Sequence, residues 1–199
     1  MKKKVRQGNS QELRINSGAL RGRKLLFPNI EGLRPTLGRT RETLFNWIRP
    51  SLNNARCLDL FAGSGVLGIE AVSIGAQAAV FVENNPTAAE HIKVALETFE
   101  LSSRCVLHEG DALNFLHSCE EPFDFAFVDP PFAQTQLLGH AVTQLVERNL
   151  VQQAIYLEFE PQQEATVAAL MKQHSLEQLK STKAGKTRAW LIAPNLSQG

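Results

Sequence analysis

Cysteine is scarce in this chain. Cys57, Cys105 and Cys119 are the three present, an odd number with no Cys-x-x-Cys spacing. A disulfide framework of the secreted kind is thereby excluded, and the three read as reduced packing groups of a cytoplasmic protein. Long apolar runs are missing too; none approaches the roughly 20 residues that span a bilayer, so no membrane partner is expected. The basic start "MKKKVRQGNS" leads into no apolar stretch, which argues against a secretory signal. There are no internal repeats. No long heptads or spare apolar stripe call for a partner subunit, so a monomer is expected, and nothing in the pattern requires a metal.

Net charge is also nearly absent, at +1, but the balance hides an asymmetry. Residues 1 to 50 hold 12 Lys+Arg against 3 Asp+Glu, a net of +9, and residues 51 to 199 hold 9 against 17, a net of −8. A basic segment joined to an acidic body points to a polyanion partner for the first part. A merely solvated tail is the alternative. The charges, however, run past the tail into patterned sequence, "RGRKLLFP" and "LRPTLGRTRETLFNWI". Two regions are therefore expected, a basic extension over 1–50 and a main domain over 51–199, in which 43% hydrophobic residues suffice for a core.

Residues 1 to 10 read as a disordered tail. Residues 12 to 27 hold two short strand-like pieces around a glycine-rich turn, which predicts a hairpin. Leu37, Thr40, Leu44, Trp47 and Ile48 then follow at helical spacing, with Pro50 as the stop. Strand-like runs come next near 56–60, 78–82, 104–108, 123–128 and 153–159, with helix-like runs near 66–75, 86–99, 111–118 and 136–148 between them. This alternation predicts a parallel sheet with helices on both faces. A helix near 161–172 precedes two extended runs, 175–182 and 187–193, around "KAGK", which predict a last hairpin with an antiparallel strand in the sheet.

The segment "CLDLFAGSGVLGIEA" is a strand, a glycine turn and a helix. Gly63, Gly65 and Gly68 fit G-x-G-x-x-G, and Glu83 lies 20 residues beyond Gly63 at the end of the next strand. On its own this matches a dinucleotide fingerprint. Glycines let backbone approach a ligand, the helix start offers free N–H groups, and the acid can accept from two ribose hydroxyls. Asp59, four residues before Gly63, tips the choice. It would repel a pyrophosphate but suit S-adenosylmethionine, which carries a sulfonium and an amino group and no phosphate. Asp111 in "EGDA" is placed to take the adenine amine, with the Ala112 amide beside it. It would equally serve as a helix N-cap, and both roles are compatible at the carboxyl end of a strand.

The stretch "FDFAFVDPPF" ends a strand on Asp129, Pro130, Pro131 and Phe132. An exocyclic amine on a nucleobase is a weak nucleophile because its lone pair is delocalised into the ring. Two acceptors on its N–H bonds favour the pyramidal form that attacks a methyl group. The Asp129 carboxylate and the Pro130 carbonyl can supply them, the prolines fixing the backbone, and Phe132 can stack on the base. A strand ending in a proline turn with Phe132 in the core is the structural alternative. The preceding glycine turn and strand-end acids favour the site.

Together, "RINSGALRGRKLLFP", "LRPTLGRTRETLFNWI", "LDLFAGSGVLGIEA" and "FVDPPF" resemble the RsmD family of bacterial ribosomal RNA methyltransferases, from about Arg14 to Ile192. The last two segments are shared across the wider class I methyltransferase superfamily. The resemblance implies a Rossmann-like α/β fold: a seven-stranded, mostly parallel sheet with an antiparallel C-terminal strand, helices on both faces and a small N-terminal extension. It implies methyl transfer from S-adenosylmethionine to the N2 amine of guanine 966 in 16S ribosomal RNA, free or in the small subunit. Asp129, Pro130, Pro131 and Phe132 would then be catalytic. Asp59, Phe61, Gly63, Ser64, Gly65, Glu83, Asn84, Asp111 and Ala112 would hold the cofactor, with Arg34 and Thr36 in a loop over its methionine end. Arg21, Arg23, Lys24, Arg39 and Arg41 would grip RNA, with Lys183, Lys186 and Arg188 adding to the basic face; Arg41 could instead pair with an acid on its own helix. The family usually has aspartate where this chain has Gly38, to which no role is carried over. Competing readings are an amino methyltransferase for another RNA or DNA base, an NAD-dependent oxidoreductase, and a non-catalytic RNA-binding protein.

Overall fold

A computed structural model describes residues 10–30, 36–131 and 135–194. The expected tail over residues 1–9, and the site candidates Arg34 and Phe132, lie outside the described residues. Strands β1 (Ser10–Arg14) and β2 (Lys24–Pro28) pair antiparallel, so Ser10 already belongs to a strand. Helix α1 (Gly38–Ile48) follows and passes into a short 3-10 turn, Arg49–Ser51, that contains Pro50. Leu37, expected at the start of the helical spacing, is instead the residue before the helix and is 57% exposed.

The rest alternates: β3 (Arg56–Asp59), α2 (Val66–Ile74), β4 (Ala78–Glu83), α3 (Pro86–Thr98), β5 (Cys105–Glu109), α4 (Ala112–Ser118), β6 (Phe123–Val128), α5 (Thr135–Glu147) and β7 (Val151–Phe159). A 3-10 turn and α6 (Glu164–Gln173) then lead into the hairpin β8 (Leu176–Ala184) and β9 (Thr187–Pro194). The sheet has seven strands in the order β5-β4-β3-β6-β7-β9-β8. β9 runs antiparallel between β7 and β8, and the other central pairings are parallel. This is the sheet that the alternating pattern predicted.

The period-2 alternation of each strand sorts its residues into two cores. Cys57, Phe81, Phe125, Phe127 and Tyr156 face α1, α2 and α3, and Ile15, Leu20 and Leu25 of the N-terminal segment join that layer. Leu58, Val82, Ala126, Val128 and Leu157 face α4, α5 and α6. Gly68 sets how closely α2 lies on the sheet: a Cβ there would fall 2.3 Å from the Phe81 ring. The chain winds outward from β3 to β5 in one direction and from β6 to β7 in the other. The change of direction between β3 and β6 opens a crevice at the carboxyl ends of the strands.

Candidate active site

A cavity of about 460 Å³ fills that crevice. Each of the five strands along it contributes an acid to its lining: Asp59 ends β3, Glu83 ends β4, Asp111 follows β5, Asp129 follows β6 and Glu158 lies next to the end of β7. Lys186 is the one basic residue among the described lining residues. So acidic a cavity opposes a pyrophosphate and favours a cationic ligand.

The glycine turn and the acids hold one another in place. Gly63 and Gly65 adopt left-handed φ of 53° and 73°, which glycine reaches without a Cβ penalty. Gly65 is the N-cap of α2 and has no side chain to cap it. The capping falls to Asp59, whose Oδ2 accepts from the Gly68 N–H at 3.0 Å. Burial pushes the Asp59 carboxyl up to about 7; the Gly68 hydrogen bond opposes this and the charge of Glu83 adds to it. The two oxygens of Glu83 accept from the Gly63 and Asn85 N–H groups, each at 2.7 Å. The N-capping role expected of Asp111 is present, with Oδ1 accepting from Asn114 N–H at 2.9 Å. Asn85 caps α3 through the N–H groups of Thr87 and Ala88.

On the other side of the crevice, Asp129 stands half-buried and accepts a hydrogen bond from Thr36 Oγ1 at 3.2 Å. Burial, and next the neighbouring Glu158 charge, hold its carboxyl well above the usual carboxylate range, with Thr36 pulling the other way. Pro130 and Pro131 line the same cavity.

Thus Thr36, Asp59, Phe61, Gly63, Ser64, Glu83, Asn84, Asp111, Ala112, Asp129, Pro130 and Pro131 come together around one cavity, although the sequence spreads them over nearly a hundred positions. Gly65 shapes the turn from behind the lining. Glu158 and Thr187 belong to the lining and were not singled out from the sequence. The signal for Glu158 was available: like Asp59, it is an acid near the carboxyl end of an apolar strand, in "AIYLEFE".

The basic residues divide. Arg21 and Arg39 are exposed. Arg23 lies 4.6 Å over the Phe99 ring, and Lys24 pairs with Glu12 at 3.0 Å on the surface. Arg41 does not take the expected RNA-facing place. It is buried, with Nη1 3.0 Å from Glu70 Oε1 on α2 and Nη2 donating to the Arg14 carbonyl, so it cannot meet RNA phosphates.

A family model described as "Conserved hypothetical protein 95" matches residues 13–193. A ribosomal RNA small subunit methyltransferase D of Haemophilus influenzae is 42% identical over 164 residues, covering 79% of this chain and 84% of that protein. Among solved structures, the putative methyltransferase yhhF of Escherichia coli superposes with a TM-score of 0.78 at 35% identity, covering 92% of this chain and 97% of that one. A putative methylase of Haemophilus influenzae superposes at 0.73 with 34% identity, covering 92% and 99%. The chain belongs to this family, the RsmD methyltransferases.

Proposed function

We propose that this chain transfers a methyl group from S-adenosylmethionine to the exocyclic N2 amine of a guanine in small-subunit ribosomal RNA, at position 966 of the 16S molecule. The observation that carries the reading is the placement of Asp129 and Pro130 on the same cavity as Asp59, Glu83 and the glycine turn. The relatives' names supply the substrate class.

The residues fit the cofactor. The cavity falls within the roughly 300–1,000 Å³ usual for small-molecule sites. Its excess of carboxylates suits a sulfonium and an ammonium. The oxygens of Glu83 each hold one backbone N–H and keep lone pairs for ribose hydroxyls. Asp111 uses Oδ1 as a cap, which leaves Oδ2 for the adenine amine. Asp59 supplies negative charge beneath the glycine turn. The cofactor supplies an electrophilic methyl group on sulfur.

Asp129 and the Pro130 carbonyl accept the two N–H bonds of the target amine and orient its lone pair. An amine that accepts the methyl group would have to shed a proton. The raised carboxyl of Asp129 suits it to take that proton before release to water. The base must be unpaired or flipped to reach the cavity. The basic segment over 1–50, with Lys186 at the cavity, holds the RNA backbone, and the enzyme works as a cytoplasmic monomer. No helix among the described residues is long and apolar enough to cross a membrane.

The test is methyl transfer from labelled S-adenosylmethionine to ribosomal RNA and to small-subunit particles from cells lacking the gene, with the product nucleoside identified by mass. N2-methylguanosine in 16S RNA is expected. Asp129→Ala should lower the rate by roughly 10²–10⁴ while cofactor affinity stays within about threefold. Label in another nucleoside or in DNA would overturn the guanine assignment, and equal loss of binding and turnover would overturn the role of Asp129.

A further inference from the structure

Glu158 is counted above only as one of the five acids of the cavity, yet it is a 7% exposed carboxyl near the end of β7. No ion pair to it occurs among the described residues. It is held instead by two hydroxyl donors: Tyr156 Oη at 3.1 Å to Oε2 and Thr187 Oγ1 at 2.8 Å to Oε1. A carboxyl in so apolar a strand is expensive to bury, and burial pushes it up against the pull of its Thr187 and Tyr156 hydrogen bonds; packing alone would be served better by an aliphatic residue. Its position suggests what offsets that burden. β6 and β7 pair with Val128 opposite Leu157, so Asp129 and Glu158 come next on neighbouring strands. Both follow in alternation from Phe127 and Tyr156, which share one face of the sheet. The result is two acceptors side by side on the cavity wall, across from the glycine turn.

Nucleobase edges differ in what lies beside the exocyclic amine. In guanine the neighbour of N2 is N1–H, a donor. In adenine and cytosine the neighbouring ring nitrogen is an acceptor. A pair of adjacent carboxyl groups, each of which keeps an accepting oxygen even where the two share a proton, matches a donor next to a donor. The two hydroxyls each occupy one lone pair on Glu158 and aim the carboxylate as an acceptor.

We infer that Glu158 is the base-selecting residue, its carboxylate accepting the N1–H of the target guanine while Asp129 takes the N2 amine. The inference rests on the guanine-N2 reading above. Thr187 and Tyr156 act through it as positioning residues.

The experiment compares kcat/KM for small-subunit RNA, assembled into particles if free RNA is inert, carrying either guanine or 2-aminopurine at the target. 2-Aminopurine keeps the 2-amine but has a bare acceptor at ring position 1. Wild type should prefer guanine by about 10²-fold or more, since a site built to bond an N–H strongly rejects the analogue lacking it. Glu158→Gln, whose amide can donate to the bare nitrogen, should lose at least roughly tenfold on guanine and narrow the preference by at least roughly tenfold, with cofactor affinity held within about threefold. A wild-type preference near unity overturns the inference without any variant. So does a variant that slows both substrates equally, which marks a structural role only. Absence of transfer to the guanine substrate by wild type would sink the guanine-N2 reading itself, and the inference with it; the guanine arm therefore tells the two failures apart.

Discussion

Arg41 and Glu70 meet out of water, Nη1 of one 3.0 Å from Oε1 of the other, at 4% and 0% side-chain exposure. The pair joins α1 to α2, the helix that starts at the glycine turn. Glu70 Oε1 also accepts from the Asn16 N–H at 2.6 Å, so one carboxylate fastens the hairpin, α1 and α2 together. Burial pushes the Glu70 carboxyl up and the Arg41 guanidinium down, each opposed by the other's charge. Removing one partner strands a buried charge. Glu70→Ala should therefore destabilise the fold by about 3–5 kcal/mol. Arg41→Met with Glu70→Leu should cost clearly less than the two single changes added. Urea denaturation of wild type, Arg41→Met, Glu70→Leu and the double variant measures this, with Glu70→Ala alongside as a fifth protein, and strict additivity within the cycle would show that the pair is not coupled.

Two glycines should respond oppositely to alanine. At Gly68 the new methyl would sit 2.3 Å from the Phe81 ring between α2 and β4, and overpacking there should cost about 1–3 kcal/mol. At Gly139, inside α5, a Cβ meets nothing within 4 Å. Gly139→Ala should be neutral or stabilising by up to about 1 kcal/mol, through helix propensity. Thermal melts of the two variants against wild type give the signs.

The contrast between Arg41 and Asp59 shows what the sequence could disclose. Asp59 announces itself because a carboxylate in "CLDLFAGSG" sits in an apolar strand beside glycines that a ligand would need. Asp129 is legible in the same way, since two prolines stop its strand. The alternation of residues such as Leu58 and Val128 with Cys57 and Phe127 carries the sheet. Arg41 is different. A basic residue in a helix rich in charge looks solvated, and its partner lies 29 positions away on another helix. The Thr36–Asp129 hydrogen bond spans 93 positions, and the Glu158–Thr187 bond joins strands whose adjacency depends on the closing hairpin. Such contacts follow from tertiary placement, which no local pattern encodes.

The proposed RNA grip should be weaker in charge than the sequence count implies. Neutralising Arg21, Arg23 and Lys24 removes three cations, but Lys24 already faces Glu12 at 3.0 Å. RNA affinity should fall, and the slope of log K against log salt should flatten by about one to two, at roughly 0.7–0.9 per phosphate contact. Filter binding across a salt series reads the slope. An unchanged slope would mean that the polyanion lies elsewhere on the molecule.

Asp59 should set stability against function. Its carboxyl, ordinarily near 3.8, is raised by burial to about 7 in the folded chain. The protonated form is thus favoured by folding. The stability this brings is full below about pH 4 and is lost as pH rises through about 7. Above that the buried charge opposes folding at full strength. Asp59→Asn keeps an acceptor for the Gly68 N–H and removes the charge. It should therefore be more stable than wild type at pH 8, by roughly 1–3 kcal/mol, with the advantage shrinking between pH 7 and about 4. Binding should run the other way. A cationic cofactor favours the ionised acid, so wild-type affinity for S-adenosylmethionine should drop as pH falls below about 7, by up to tenfold per pH unit. The variant should bind more weakly at pH 8 and show a shallower pH slope. Denaturation and calorimetry on the same two proteins at pH 6 and 8 measure both signs. A variant that loses stability at pH 8 would show that the carboxylate is needed for the fold itself, as the cap on α2, and not kept for the charge it offers to the ligand.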